Sequence, residues 1–118
     1  MYKIITMKTT IAETNEFFTK SRELLSKKEI NDFIDYIAKY PTAGVLIQGT
    51  GGVRKLRWKR SDTGKRGGFC IIYYFHSSHM PLYLLTVFAK GDKSDLTSGE
   101  KHELKVLVNY LVDYWFGD

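Results

Sequence analysis

Lys55, Arg57 and Lys59 alternate with the apolar Leu56 and Trp58. In an extended chain that alternation puts the three cations on one side, about 6.6 Å apart, and turns the two apolar side chains toward a core. Arg54, Arg60, Lys65 and Arg66 extend the strip. From 54 to 66 it holds seven basic residues and one acid, Asp62, a net charge of +6 against +5 for the whole chain. The basic character is therefore local. Like charges in a row repel, which costs stability unless an anion sits among them. A solvated sheet face is one reading. A groove that follows the phosphates of a polyanion accounts better for so concentrated a charge.

Other residues offer weaker chemistry. Gly49-Thr50-Gly51-Gly52 looks like a phosphate cradle, but the Gly-Lys-Ser/Thr ending of a P-loop is missing and no helix follows. A turn in which backbone packs closely is favoured. His76-Ser77-Ser78-His79 has ligand character without a matching Cys or carboxylate cluster, so no metal site is expected. His102 reads as an exposed residue of the last helix. Cys70 lies in an apolar run and reads as a structural thiol, since no histidine can be placed beside it. Tyr73, Tyr74 and Tyr83 have rings suited either to half-core packing or to stacking on bases.

The elements that position these residues follow from periodicity. Tyr2 to Met7 reads as a first strand. Phe17, Phe18, Leu24 and Leu25 fit one face of a helix. Ser26 and Glu29 form a capping box ahead of a second helix, whose Ile30, Phe33, Ile34, Ile37 and Ala38 share a face until Pro41 stops it. The basic strip is a half-buried strand. Gly68 to His76 is apolar on both faces, as a central strand would be, and Leu82 to Lys90 is a third. Short connections make these three an antiparallel meander. Thr97 and Glu100 cap a last helix with Leu104, Leu107, Val108, Leu111 and Trp115 on one face. The expectation is an α+β two-layer domain spanning 1–118.

Composition narrows the classes. Hydrophobic residues at 43% and aromatics at 14% exclude a disordered chain. No apolar run approaches the ~20 residues of a membrane span. The apolar part of the N-terminus is too short for a signal peptide. A single cysteine forms no internal disulfide, so a cytoplasmic location is expected.

Three blocks together carry a family resemblance. They are Ile47-Gln48-Gly49-Thr50-Gly51-Gly52-Val53-Arg54-Lys55-Leu56-Arg57, Gly64-Lys65-Arg66-Gly67-Gly68-Phe69-Cys70-Ile71-Ile72-Tyr73-Tyr74, and Leu84-Leu85 with Lys90, Asp92 and Asp95-Leu96. From about Val45 to Leu96 the chain resembles RelE/HigB-type toxins of bacterial toxin–antitoxin modules. The resemblance implies a RelE-like fold, a small antiparallel sheet with two N-terminal helices packed on it and a C-terminal helix. It implies a ribosome-dependent endoribonuclease that cuts messenger RNA in the A site. There the ribose 2′-OH attacks the adjacent phosphate without a metal or other cofactor. It also implies a cognate HigA/RelB-like antitoxin as partner.

Carried over by position, Lys55 and Arg57 match the family's basic pair and Lys90 a basic residue after the last strand. With Arg66 they form the expected catalytic set, holding the scissile phosphate and the charge that builds on it. Crowded cations also favour proton release from one of their number, which suits general acid–base work. Arg54, Lys59, Arg60, Lys65 and Tyr74 are the expected RNA contacts. This chain departs from the family in one respect that bears on catalysis. Where an arginine usually precedes the Ile-Ile-Tyr-Tyr run, it has Cys70, which cannot grip phosphate in two places. Arg66, across Gly67-Gly68, is the expected substitute. A second departure is Thr97, which stands where some relatives place a tyrosine. These departures keep open a second reading, a catalytically weak or inactive protein that binds RNA, ribosome or antitoxin. A DNA-binding module ranks third, because no helix carries the basic residues.

Overall fold

In a computed structural model, which describes residues 9–59, 68–93 and 95–117, the described residues run through eight elements. They are β1 (Ile11–Glu13), α1 (Asn15–Leu24), α2 (Lys27–Lys39), β2 (Val45–Leu46), β3 (Val53–Trp58), β4 (Phe69–Tyr74), β5 (Leu82–Ala89) and α3 (Ser98–Phe116). The expected strand Tyr2–Met7 and the connection Arg60–Gly67 lie outside the described residues.

Local chemistry starts each helix. The Thr14 hydroxyl accepts the Phe17 N–H at 3.1 Å and opens α1. At α2, Glu29 N–H donates to Ser26 Oγ at 3.1 Å and Ser26 N–H donates to Glu29 Oε1 at 2.8 Å, a reciprocal box. Thr97 and Glu100 repeat it at α3, again at 3.1 and 2.8 Å.

The described strands form one five-stranded sheet in the order β1-β5-β4-β3-β2. The expected meander is present, with β3, β4 and β5 antiparallel and β4 in the middle. The sheet as a whole is mixed, which corrects the expectation of a purely antiparallel one. β1 runs parallel to β5, tied by Leu82 N–H to Thr10 O at 2.8 Å and Thr14 N–H to Leu84 O at 3.1 Å. At three and two residues, β1 and β2 are too short for alternation to reveal them, and their pairing is tertiary.

Alternation along β4 divides the core. Phe69, Ile71 and Tyr73 pack with Phe17, Ile30, Phe33 and Ile37 of the first two helices. Ile72 and Tyr74 face the other way and pack with Val53, Val108 and Leu111. The two-layer expectation is thus corrected to three layers, α1/α2, sheet and α3. The cause is β4 itself, since a strand apolar on both faces needs cover on both. A bulge keeps β5 in step. Ile72 pairs with Thr86 and Tyr73 with Leu84, so Leu85 has no opposite number. The extra residue resets the alternation, and Leu82, Leu84 and Val87 all reach the α1/α2 side.

Candidate functional site

α3 covers only part of its face of the sheet. Val53, Ile72, Tyr74 and Leu85 lie in the cluster with its Val108 and Leu111. Farther along the same strands, Arg57, Cys70 and Phe88 form one cross-strand row, since Cys70 pairs with Arg57 on one side and Phe88 on the other. Lys55 stands one row nearer α3, opposite Ile72, and Val45 of β2 pairs with it. Lys90 follows β5, its N–H bonded to Gly68 O at 3.0 Å. These six residues line a pocket of about 240 Å³.

Gly68 helps to set that row. It opens β4 at φ +152°, and a Cβ there would lie 2.5 Å from Trp58 O. Only glycine lets β4 begin so close to β3.

Electrostatics define what the pocket accepts. Lys55, Arg57 and Lys90 surround the half-buried Cys70 at the centre. Burial pushes the Cys70 thiol up, and Asp95 adds to this, while Lys55, Arg57 and Lys90 oppose it. Burial wins, so the thiol keeps its proton and presents no charge. Lys55 Nζ lies 3.8 Å from Asp95 Oδ1, which also accepts Leu96 N–H at 2.8 Å. That backbone hydrogen bond first, and Lys55 second, hold the Asp95 carboxyl below its usual range. Three cations around a neutral floor suit a tetrahedral anion. The guanidinium of Arg57 can grip two oxygens at once and the lysines act as point charges.

The expected site residues divide. Lys55, Arg57 and Lys90 share the pocket. Lys59 follows β3 but lines a neighbouring cavity of about 440 Å³, together with Arg57, Trp58, Tyr36, Asp32 and Glu29. Arg60, Lys65 and Arg66 lie outside the described residues. Two expectations need correction. Arg54 shares its side of β3 with Leu56 and Trp58, not with Lys55 and Arg57. Its guanidinium donates to Gly44 O at 2.7 Å and Thr42 O at 3.2 Å, and so braces the turn before β2. Tyr74 is on the Cys70 side, but only 6% of it is exposed and it packs in the α3 cluster, where no base can stack on it.

The glycine-rich motif and the histidines take these places. Thr50 Oγ1 donates to Ile47 O at 2.7 Å and accepts Val53 N–H at 3.1 Å, which makes the glycine-rich segment a turn. His76 tilts against Phe116 at 4.9 Å. Among the described residues no cluster of His, Cys, Asp or Glu could hold a metal ion, and no helix is long and apolar enough to cross a membrane. Sequence reasoning assigned no role to Phe88 or Asp95; it read Cys70 from its apolar run as a structural thiol, and only the resemblance put it where the family has an arginine. The observed β3–β4 register, which pairs Cys70 with Arg57, is what brings it to the pocket.

No protein-family model matches the chain. Among solved structures it is similar to the E. coli toxin RelE, determined in the free state as a double arginine-to-alanine mutant. The TM-score is 0.58 at 13% identity, over 86% of this chain and 98% of that one. The chain therefore has a RelE-like α+β fold, with three helices packed on a five-stranded mixed sheet. At that identity the likeness defines the fold, and chemistry rests on the residues in the pocket.

Proposed function

We propose that residues 1–118 form the toxin of a bacterial toxin–antitoxin module, a ribosome-dependent endoribonuclease that cuts messenger RNA. The observation that carries this reading is the convergence of Lys55, Arg57 and Lys90 on one pocket. Arg57 grips two non-bridging oxygens of the scissile phosphate. Lys55 and Lys90 meet the charge that grows on it in the transition state. The ribose 2′-oxygen bonds to phosphorus as the bond to the 5′-oxygen breaks. The 2′-OH loses its proton and the departing 5′-oxygen gains one. The products are a 2′,3′-cyclic phosphate and a 5′-OH end, and no metal takes part. A lysine can carry these protons. Arg66 contributes a further phosphate contact from its connection. The toxin acts in the cytoplasm, and a HigA/RelB-like antitoxin neutralises it.

One observation favours a second reading, binding without cutting. Cys70, at the middle of the floor, adds no charge where the resemblance leads one to expect an arginine. Sequencing of RNA 5′ ends after induction separates the two. New ends within translated regions support the nuclease. Ribosome association without new ends supports the binding protein, and neither outcome would leave both readings without support.

A further inference from the structure

The cavity of about 440 Å³ beside the phosphate pocket has a different character. Arg57 and Trp58 turn to opposite faces of β3, and Arg57 lines both cavities, so the two meet around the stretch of β3 that β2 does not pair. Two aromatic residues line it, Tyr36 and Trp58, and they belong to a longer ladder of rings. Phe33 meets Trp58 edge-on at 5.3 Å, Trp58 meets Tyr36 at 5.4 Å, and Tyr36 meets Tyr40 at 5.1 Å. The inner end is sealed, with Phe33 1% exposed, whereas Tyr36 and Tyr40 are 37% and 56% exposed. Asp32 and Glu29 of α2 line the same cavity as Arg57 and Lys59 of the β3 side. Glu29 already caps α2 through Ser26 N–H, and Asp32 meets Lys28 Nζ at 2.7 Å.

We propose that this cavity is a nucleobase subsite, in which a base of single-stranded RNA stacks on Tyr36 and Trp58 while its flanking phosphate is held by Arg57 in the neighbouring pocket. The inference rests on the phosphate-binding reading above and deepens it. Carboxylates repel phosphate, so the backbone is directed to the Lys55 side and the base to the aromatic side. Asp32 can still accept N–H donors from a base edge, because a carboxylate has about four lone-pair sites. Stacking on aromatic rings tolerates any base, since every base has a π-face. Lys59 at the rim extends the positive track along the strand.

The test uses the full chain with Trp115→Phe, which leaves Trp58 as the only tryptophan. The probes are a short 2′-O-methyl RNA, which cannot be cut, and the same oligonucleotide with abasic positions and equal charge. The proposal expects Trp58 fluorescence to change with the intact oligonucleotide, and the abasic one to bind about tenfold more weakly. Tyr36→Ala should remove that preference and Tyr36→Phe should keep it. Tyr36 is partly exposed, so neither change empties the core. Equal affinity for both probes, with Arg57→Ala weakening each, would overturn the base subsite and leave the phosphate pocket standing. No binding of either probe would overturn both.

Discussion

Cys70 lies directly across the β3–β4 ladder from Arg57, so thiol and guanidinium share one row of the pocket. The guanidinium is in place, and its neighbour on the central strand is neutral.

Cys70→Arg should therefore add a second fork to the pocket. We expect affinity for a non-cleavable RNA to rise about tenfold or more, as one charge-assisted pair would give. If the wild-type chain binds without cutting, RNA 5′-end sequencing of this variant should show cleavage where the parent shows none. Unchanged affinity would mean that position 70 does not meet the phosphate.

Lys55→Ala and Arg57→Ala should each abolish growth arrest on induction while leaving the fold intact. Lys55 is half-buried and Arg57 exposed, and their removal relieves repulsion instead of opening a cavity. Circular dichroism and thermal melting should match the parent. Full arrest in the double variant would remove these residues from the site.

Gly44 and Tyr73 give a stability prediction independent of function. The Tyr73 hydroxyl, fully buried, accepts Gly44 N–H at 2.8 Å. A Cβ at Gly44 would lie 2.7 Å from the same ring. Tyr73→Phe should cost about 1–3 kcal/mol by leaving that N–H without a partner. Gly44→Ala should also destabilise, by forcing ring and turn apart. Denaturant midpoints check both.

Asp95 holds Lys55 at the surface, and such exposed pairs contribute under about 1 kcal/mol. Asp95→Asn should leave the melting temperature almost unchanged and tighten RNA binding severalfold, because Lys55 loses a competitor for the phosphate. Weaker binding would show instead that Asp95 positions Lys55.

Cys70 also sets a pH dependence. Burial raises its thiol, so the folded chain keeps that proton to higher pH than the unfolded chain does. Above the ordinary thiol value the unfolded state binds fewer protons, and this contribution to stability falls as pH rises. Below that value it is constant. The urea midpoint of Cys70→Ala, compared with the parent across this range, isolates the effect; parallel curves would contradict it.

Much of the architecture was legible because it is written locally. Ser26 with Glu29 and Thr97 with Glu100 announced two helices, and the unbroken apolar run of β4 announced a central strand. What escaped was decided at a distance. Tyr74 has the same parity as Cys70, yet one is roofed by α3 and the other opens into the pocket, and no local pattern says where α3 ends its cover. Trp115 was expected on the inner face of α3. It is 42% exposed and donates to the Tyr83 hydroxyl at 2.8 Å instead. Arg54 could have been placed from sequence, since its parity matches Leu56 and Trp58; the density of charge around it obscured the alternation. β1 and β2 were invisible because strands of three and two residues exist only through their partners.

Salt dependence of RNA affinity tests most directly whether this pocket holds a nucleotide backbone. For single strands, log affinity should fall against log salt with a slope of about −0.7 per phosphate neutralised, and Arg57→Ala and Lys55→Ala should each make that slope shallower by about 0.7. A flat response, or a slope that neither substitution changes, would contradict the account.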